Sequence, residues 1–327
     1  MRAVAADAGG CSNPVRAPRR NRARDGTVMN DFKERLARHA AAVDEELAAV
    51  LDEQENIPER LGDAMRLAVM GGGKRFRPFL VIESARLFDV PAGKALRVAA
   101  ALELMHCYSL VHDDLPAMDN DRLRRGRPTV WAAFDEWTAI LAGDALLTLC
   151  FEVLSDSRTH ASAGVRGELV AALARAAGTR GMVGGQMLDL LADKRSEPAN
   201  PTLDHIKRLQ AMKTGALIRF GAEAGAILGE AGDSKRGALA AFGDKLGVVF
   251  QIADDLLDVT GDAETVGKAT GKDAAAGKAT QVSLMGIEAA RETLDRLAKG
   301  AIEDLTAFGA AGDVLGDAVR FASERKN

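Results

Sequence analysis

Aromatic residues, cysteines and long apolar runs are scarce in this sequence. Aromatic residues make up 4% of the 327 residues, whereas alanine and leucine are abundant, and this bias favours helices over sheets. Alternation of apolar and polar residues with a period of two is also missing. The cysteines Cys11, Cys107 and Cys150 are odd in number and have no CxxC spacing. They argue against a disulfide framework and a structural zinc site, and favour a reducing cytoplasm.

Charge and hydropathy exclude two further classes of protein. No stretch of 18 or more residues is continuously apolar, so the sequence predicts no membrane span. The formal net charge of −4 gives no electrostatic reason to expect a nucleic acid as partner. Apolar residues make up 47% of the chain, which is enough to bury a substantial core.

What the chain does contain is helical periodicity from Asp31 onward, punctuated by prolines and free of proline after Pro201. This pattern predicts an all-α protein, a single-domain bundle of about ten or more helices in residues 29–327. The predicted helices are 31–54, 60–71, 78–88, 93–113, 129–155, 163–193, 202–229, 235–260, 281–298 and 301–324.

The first 24 residues differ in composition from the rest of the chain. They contain six arginines and one acid, Asp7, and lack the apolar stretch of a secretory signal. We interpret residues 1–28 as a disordered extension, or as a mis-assigned start with translation beginning at Met29. An organellar transit peptide is the alternative interpretation.

Two aspartate clusters carry the first chemical signal. The first is Asp113, Asp114, Asp119 and Asp121, with Pro116 expected to end the preceding helix and a turn to bring Asp119 back toward Asp113. The second is Asp254-Asp255-Leu-Leu-Asp258 on an apolar helix, where Gln251 is expected to share a face with Asp254 and Asp258. Carboxylates on a buried face are costly without a cation, and oxygen ligands favour Mg²⁺. A solvated acidic helix end is the alternative for the second cluster.

Basic residues stand beside flexible backbone and beside the first acidic cluster. Gly72-Gly73 precedes Lys74-Arg75-Phe-Arg77, and four arginines occupy the stretch 122–127. Arginine suits phosphate oxygens geometrically, so acids and arginines together indicate a metal-bridged diphosphate site. Ion pairing among neighbours on a solvated loop is the alternative. His106, two helical turns before Asp113, is either a core histidine or a site residue.

Six segments in a fixed order resemble the short-chain trans-isoprenyl diphosphate synthases, and among them the bacterial-type farnesyl diphosphate synthases. These segments are GGGKRFRP (71–78), ELMHCYSLVHDDLPAMDNDRLRRGRPTVW (103–131), AGDALL (142–147), GGQMLDL (184–190), MKTGALI (212–218) and FQIADDLLDVTGD (250–262). The resemblance implies the isoprenoid synthase fold, with its helices around a central active-site cavity. It also implies a homodimer and Mg²⁺ as the cofactor, with three ions per site when substrate is bound.

The resemblance further implies a role for each matching residue. Metal ligands or their supports are Asp113, Asp114, Asp119, Asp254, Asp255 and Asp258. The allylic diphosphate is contacted by Arg124, Lys213, Lys268 and Lys278. The diphosphate of isopentenyl diphosphate is bound by Lys74, Arg77, His106 and Arg125. Thr214 and Gln251 lie beside the reacting carbons and help to stabilise positive charge, while Gln186 and Asp189 form a supporting polar shell.

The implied activity is the head-to-tail condensation of isopentenyl diphosphate with dimethylallyl and geranyl diphosphates. Tyr108, the chain's only tyrosine, stands five residues before Asp113 and about 7 Å from it along a helix axis. In the family a bulky aromatic residue here, beside Ser109, acts as a floor that stops growth at fifteen carbons, which predicts farnesyl diphosphate. Geranylgeranyl or geranyl diphosphate synthesis is the alternative, and a non-catalytic helical subunit of a heteromeric synthase is the alternative outside enzymes.

The chain departs from the family pattern at two places. After Lys278 the family usually continues Ser-Thr-Tyr-Pro, whereas this chain reads Ala279-Thr280-Gln281-Val282. Arg122 occupies a position where relatives often carry another acid.

Overall fold

The computed structural model describes residues 22–260 and 279–324, with side chains from Val28 onward. Within these ranges the regular secondary structure is helical apart from one short strand pair. The helices are α1 (Arg22–Asp52), α2 (Glu59–Val69), α3 (Phe76–Arg86), α4 (Ala92–Asp113), α5 (Val130–Ala133), α6 (Glu136–Ser155), α7 (Ala163–Ala177), α8 (Met182–Arg195), α9 (Leu203–Gln210), α10 (Ala216–Leu228), α11 (Asp233–Thr260), α12 (Gln281–Met285), α13 (Ile287–Asp304) and α14 (Asp313–Ser323). The predicted all-α fold is confirmed. The division of the chain at residue 28 stays a prediction, and residues 1–21 lie outside the described ranges.

The core consists of two apolar clusters that meet along α3 and α10. One cluster is built mainly from α2, α4, α6 and α7, and the other from α3, α10, α11, α13 and α14. Helix α4 packs on α6 and α3, and its alanines at 99, 100 and 101 are fully buried. Small side chains allow helices to approach closely, so the alanine-rich composition of α4 suits a central position.

Helix α6 is the one helix in the described ranges that is long and apolar enough to cross a membrane. Half of its most apolar stretch is buried inside the protein, and the helix packs against α4. A core helix of a bundle meets the same criteria of length and composition, so this feature is weak support for a membrane span.

Five predicted helices are divided in the structure. The segment 281–298 breaks at Gly286, which has φ 84°, and 301–324 contains the 3₁₀ helix Leu305–Gly312. The other three divisions lie earlier in the chain. The segment 129–155 breaks before Asp135, whose carboxylate caps α6 by accepting from the backbone N–H of Thr138. The segment 163–193 breaks at Gly178, whose N–H still bonds to Ala174 while the chain turns toward α8. The segment 202–229 contains a π-helical turn, Ala211–Gly215, between α9 and α10. The spacing of apolar residues does not indicate a helix break when the apolar face continues on both sides of it.

A two-residue hairpin, β1 (Leu123–Arg124) paired with β2 (Arg127–Pro128), was not predicted. Its turn places Arg125 at φ 53° and Gly126 at φ 75°. Positive φ at both central residues matches the twist of a tight hairpin. The strand pair therefore holds the arginine-rich segment in a fixed shape beside the end of α4.

Candidate active site

The first aspartate cluster lies where α4 ends. Helix α4 stops at Asp113, and the backbone N–H of Asp119 then donates to the carbonyl of Asp113 at 2.9 Å. Asn120, at φ 56°, closes the same turn by donating its N–H to the carbonyl of Leu115. The turn therefore brings Asp113 and Asp119 back together at one end of the helix.

The Asp113 carboxyl group occupies a site that favours its neutral form. Burial, together with the charges of Asp119 and Asp114, raises its pKa to about 6, although Lys213 and Arg124 act in the opposite direction. Because ionising such a buried carboxyl group costs free energy, a bound cation stabilises its charged form strongly. Asp113 is therefore suited to bind a metal ion.

Its neighbour Asp114 is buried and has a protein partner. Arg124 donates to both oxygens of the Asp114 carboxylate over distances of 2.6–3.1 Å. This bidentate ion pair ties strand β1 to the end of α4. The pair therefore fixes Arg124 at the edge of the first aspartate cluster. It uses Nε and Nη2 of the guanidinium group and does not involve Nη1.

The second cluster lies in the last turns of α11. Asp255 is 3% exposed, and each of its carboxylate oxygens accepts an amide N–H. Gln251, one turn earlier, donates to Oδ1 at 2.9 Å, and Gln210 on α9 donates to Oδ2 at 3.1 Å. The sequence placed Gln251 with the acids of this cluster, and in the structure its partner is Asp255. Asp254 and Asp258 lie on the same helix and are half-buried.

Lys213 and Thr214 lie in the π-helical turn between α9 and α10. Such turns are rare and occur frequently at functional sites. Lys213 Nζ pairs with Oδ2 of the buried Asp189 on α8 at 2.5 Å. The pair fixes the lysine ammonium group relative to α8.

Two glycines allow neighbouring helices to touch the π-helical turn. A Cβ atom at Gly185 on α8 would lie 2.2 Å from the backbone nitrogen of Lys213. A Cβ atom at Gly247 on α11 would lie 2.8 Å from the Cα of Gly215. Any side chain at either position would force the helices apart. Helices α8 and α11 therefore position Lys213 and Thr214 through backbone contact.

Two cavities, each of about 410 Å³, share Lys213 and Thr214 as wall residues. One cavity also contains Asp113, Arg77, His106 and Tyr108. The other contains Asp189, Gln210, Gln251 and Asp255. One acid of each distant cluster, Asp113 or Asp255, therefore lines each cavity, and the two cavities share one lysine and one threonine.

The two basic segments also come together. Gly73, at φ 140°, lies so close to Arg125 that a Cβ atom there would be 2.4 Å from Nη1 of the guanidinium group. Burial and the positive charges of Arg77 and Arg125 lower the pKa of His106 well below its ordinary value. His106 is therefore neutral near pH 7. The glycine loop and the hairpin arginine form one electropositive region beside it.

Arg75 differs from the other cations of the glycine-rich segment. It is 3% exposed, donates to Glu103 at 2.6 Å and to Asp44 at 2.8 Å, and also bonds to the carbonyl of Val69. Its left-handed backbone, at φ 48°, precedes the first residue of α3. Arg75 therefore anchors the loop to α1 and α4, while Lys74 and Arg77 lie on either side of it.

Tyr108 lies in the wall of the Asp113 cavity, as does Ser109. Tyr108 is 6% exposed, and its ring packs edge-on against His112 with 5.6 Å between centroids. Burial and the charge of Asp113 raise the pKa of its phenol to about 12. The ring therefore stays neutral and presents bulk to the cavity.

The same cavity contains a glutamine of the predicted polar shell. Both amide atoms of Gln186 are buried and have no hydrogen-bond partner within the described ranges. Lys268 and Lys278 lie outside the described residues, so their predicted contacts stay predictions. The roles of the other predicted site residues likewise stay predictions.

The residues at the first cluster fit Mg²⁺ in their chemistry. Asp113 and Asp119 offer hard oxygen ligands, and burial of Asp113 leaves a charge penalty that a cation would relieve. Across residues 22–260 and 279–324, no three side chains of metal-binding type are grouped closely enough to hold an ion. Mg²⁺ ordinarily completes its coordination with water and substrate phosphates, so two carboxylates and a diphosphate would suffice.

Sequence reasoning missed Gln210 and the role of Gln281. Gln281, on α12, donates from Nε2 to Oε1 of Gln210 at 2.6 Å, and so joins the amides around Asp255. The two residues are 71 positions apart, so neither periodicity nor motif spacing connects them. The departure from the family pattern at Gln281 was the one available signal.

An all-helical bundle with acidic helix ends beside a cationic pocket defines the isoprenoid synthase class, and the comparisons with known proteins agree. The Polyprenyl synthetase family profile matches residues 58–308. Farnesyl diphosphate synthase of Escherichia coli (strain K12) is 46% identical over 234 residues, 70% of this chain and 76% of that protein. Geranylgeranyl pyrophosphate synthase 9 of Arabidopsis thaliana is 40% identical over 289 residues, 87% of this chain and 78% of that protein.

A solved structure supports the same assignment. The crystal structure of an FPP/GFPP synthase from Zymomonas mobilis, in its apo form, has a TM-score of 0.80 and 44% identity, and the match covers 90% of this chain and 99% of that one. This chain belongs to the polyprenyl synthetase family. The family resemblance and the prenyltransferase class predicted from the sequence are thereby confirmed.

Proposed function

We propose that this protein condenses isopentenyl diphosphate with dimethylallyl and geranyl diphosphates and releases farnesyl diphosphate as its main product. The observation that carries the proposal is the meeting of the two cavities at Lys213 and Thr214. Asp113, Arg77 and His106 line one of these cavities, and Asp255 and Gln251 line the other. Similarity to farnesyl and geranylgeranyl diphosphate synthases supports the same reaction class.

The proposed roles follow from charge and position. Asp113, Asp119 and Asp254 would hold Mg²⁺, three ions per site with substrate bound, supported by Asp114, Asp255 and Asp258. When bound, the magnesium supplies positive charge that stabilises the departing diphosphate. Lys213 and Arg124 add fixed positive charge at the allylic diphosphate. Lys74, Arg77, His106 and Arg125 bind the diphosphate of isopentenyl diphosphate.

The carbon chemistry needs no protein nucleophile. Cleavage of the allylic C–O bond releases diphosphate and gives a carbocation, which the double bond of isopentenyl diphosphate attacks. The condensed cation then loses a proton to the departed diphosphate and forms the new double bond. Thr214 and Gln251 offer oxygen atoms beside the reacting carbons. Apolar residues of the Tyr108 cavity, such as Met182 and Leu190, exclude the water that would convert the cation into an alcohol.

Incubation with radiolabelled isopentenyl diphosphate, Mg²⁺ and either dimethylallyl or geranyl diphosphate tests the proposal. Chromatography of the products should show a C15 chain as the main species. A C20 or C10 product would favour a geranylgeranyl or geranyl diphosphate synthase. Wild-type protein that forms no product with any allylic partner would favour a non-catalytic subunit.

We also propose that the enzyme acts as a homodimer in the cytoplasm. Helix α6 exposes Trp137, Ile140 and Leu141, an apolar patch that a second copy could cover. Cys107 and Cys150 are free thiols, as expected of a reducing compartment. Light scattering after size-exclusion chromatography should give twice the mass of one chain, and a monomer mass would contradict the assembly.

A further inference from the structure

Hydrogen-bonded side chains connect α12 to the wall of the Lys213 cavity. Gln281 donates to Gln210, Gln210 donates to Oδ2 of Asp255, and Gln251 donates to Oδ1 of the same carboxylate. The donor–acceptor distances are 2.6, 3.1 and 2.9 Å. Four side chains from α9, α11 and α12 therefore form one continuous chain.

The chain has one consistent polarity. An ionised carboxylate accepts hydrogen bonds and cannot donate them, so Gln210 and Gln251 must both turn their NH₂ groups toward Asp255. Gln210 then presents its carbonyl oxygen to Gln281, and Gln281 must donate. The orientation of each amide is therefore set by the charge of Asp255 at one end and by Gln281 at the other.

Burial makes this arrangement specific. Gln281 is 1% exposed and Asp255 is 3% exposed, so water does not compete for their hydrogen bonds. The Oε1 atom of Gln281 has no partner within the described part of the chain, which costs stability. An apolar side chain would avoid that cost, so packing alone does not account for a glutamine at this position.

The far end of the chain reaches the proposed reaction site. Gln251 lines the cavity that contains Lys213 and Thr214. Because its Nε2 is bonded to Asp255, its carbonyl oxygen is the amide atom that is available to the cavity. A carbonyl oxygen stabilises an adjacent positive charge, whereas an NH₂ group would oppose it.

We propose that Gln281 and Gln210 are positioning residues, which act through Asp255 to hold Gln251 with its carbonyl oxygen toward the developing allylic cation. The inference rests on the proposed condensation, because only a cationic intermediate gives the orientation of this amide a function. Neither Gln281 nor Gln210 needs to touch the substrate.

Steady-state kinetics of Gln281→Glu and Gln281→Leu test the proposal, with geranyl and isopentenyl diphosphates as substrates. The glutamate variant places a second carboxylate against the carbonyl of Gln210 and so opposes the observed polarity. We expect kcat to fall about tenfold in Gln281→Glu and less in Gln281→Leu, with both KM values within about twofold of wild type. Gln54→Leu is the matched control, since Gln54 lies just after α1 and its side-chain amide donates to the carbonyl of Val50 in that helix. It should leave both constants unchanged.

A double-mutant cycle separates positioning from a general structural effect. If Gln281 acts through Gln251, Gln281→Glu should cause no further loss of kcat once Gln251 is replaced by Leu. Equal losses in the two backgrounds would overturn the proposal, as would unchanged kcat in Gln281→Glu. If the Gln281 variants do not fold by circular dichroism, Gln210→Met tests the next link at a half-buried position with the same expected loss of kcat.

The outcome also distinguishes this inference from the proposed function. If the wild-type protein forms no prenyl product, the proposed function itself is contradicted. If the wild-type protein is active and its Gln281 and Gln210 variants keep normal kcat, only the positioning role is contradicted.

Discussion

The two aspartate clusters are built on the same local pattern but are held in place by different chemistry. In each cluster the second aspartate of the Asp-Asp pair is buried and bound by the protein. Asp114 pairs with the charged guanidinium group of Arg124, whereas Asp255 accepts from the neutral amides of Gln210 and Gln251. The first cluster therefore depends on an ion pair local to one helix end, and the second on hydrogen bonds between distant elements.

The two kinds of partner differ in the charge that they bring to the carboxylate. Arg124 stands on a hairpin next to α4 and brings a positive charge to Asp114. At the second cluster the amide donors of Gln210 and Gln251 orient the Asp255 carboxylate without adding a positive charge of their own.

The largest expected effect comes from the first aspartate of either pair. Asp113→Asn or Asp254→Asn should lower kcat by about 10³-fold, because each variant loses one charged oxygen ligand in a low-dielectric site. The radiolabel assay measures the loss, and Asp63→Asn on the exposed face of α2 is the control. Near-normal turnover in either variant would contradict a metal-binding role for that residue.

Replacement of the second aspartate should reveal the contrast between the clusters. Asp114→Asn leaves the partly buried Arg124 without its counter-charge and should cost about 3 kcal/mol of unfolding free energy. Asp255→Asn keeps an acceptor oxygen for one amide donor and should cost about 1 kcal/mol. Urea unfolding followed by circular dichroism measures both. Equal costs, or a larger cost at Asp255, would mean that the two supports are equivalent.

An intermediate effect on kcat is expected at the contact between α8 and the π-helical turn that carries Lys213, a residue of both cavities. Gly185→Ala places a methyl group against the backbone of Lys213 and should displace the π-helical turn from α8. We expect kcat to fall by about ten- to a hundredfold, because misplacement by about 1 Å costs that much in oriented reactions. Gly167→Ala on α7 has open space around its Cβ position and is the matched control. If the Gly185→Ala and Gly167→Ala variants were equally active, the contact between α8 and the backbone of Lys213 would not be needed for catalysis.

The smallest effect on rate, but a clear effect on product, is expected at Tyr108. Tyr108→Ala should extend the main product beyond fifteen carbons, because the cavity beside Asp113 loses a buried ring from its wall. Chromatography of the labelled products measures chain length, with Tyr108→Phe as the conservative variant. An unchanged product distribution in Tyr108→Ala would show that the ring does not limit elongation.

The features that the sequence predicted are local ones. Asp119 returns to Asp113 because Pro116 and the turn after α4 are encoded within a few residues. The helical periodicity predicted the all-α bundle, since burial of one face needs no knowledge of the partner helix. The resemblance assigned Lys74, Arg77 and Arg125 to one diphosphate, and the structure brings Gly73 and Arg125 into contact.

The features that it did not predict depend on tertiary contact. The π-helical turn at Lys213 preserves the apolar face of its helix and therefore leaves periodicity unchanged. Arg75 looks like one of three equivalent cations in sequence, and its pairs with Glu103 and Asp44 are visible only in the structure. Gln210 and Gln281 meet across α9 and α12, which no local pattern encodes.

The central claim is that both clusters act on one bound diphosphate, and binding of an unreactive substrate analogue tests it most directly. Calorimetry would measure the Mg²⁺-dependent affinity for geranyl thiodiphosphate in wild type, Asp113→Asn, Asp254→Asn and the double variant. Shared binding predicts strong non-additivity, with the double variant losing hardly more affinity than either single variant. Losses that simply add, to within about 0.5 kcal/mol, would show that the two clusters bind independently and would contradict the account.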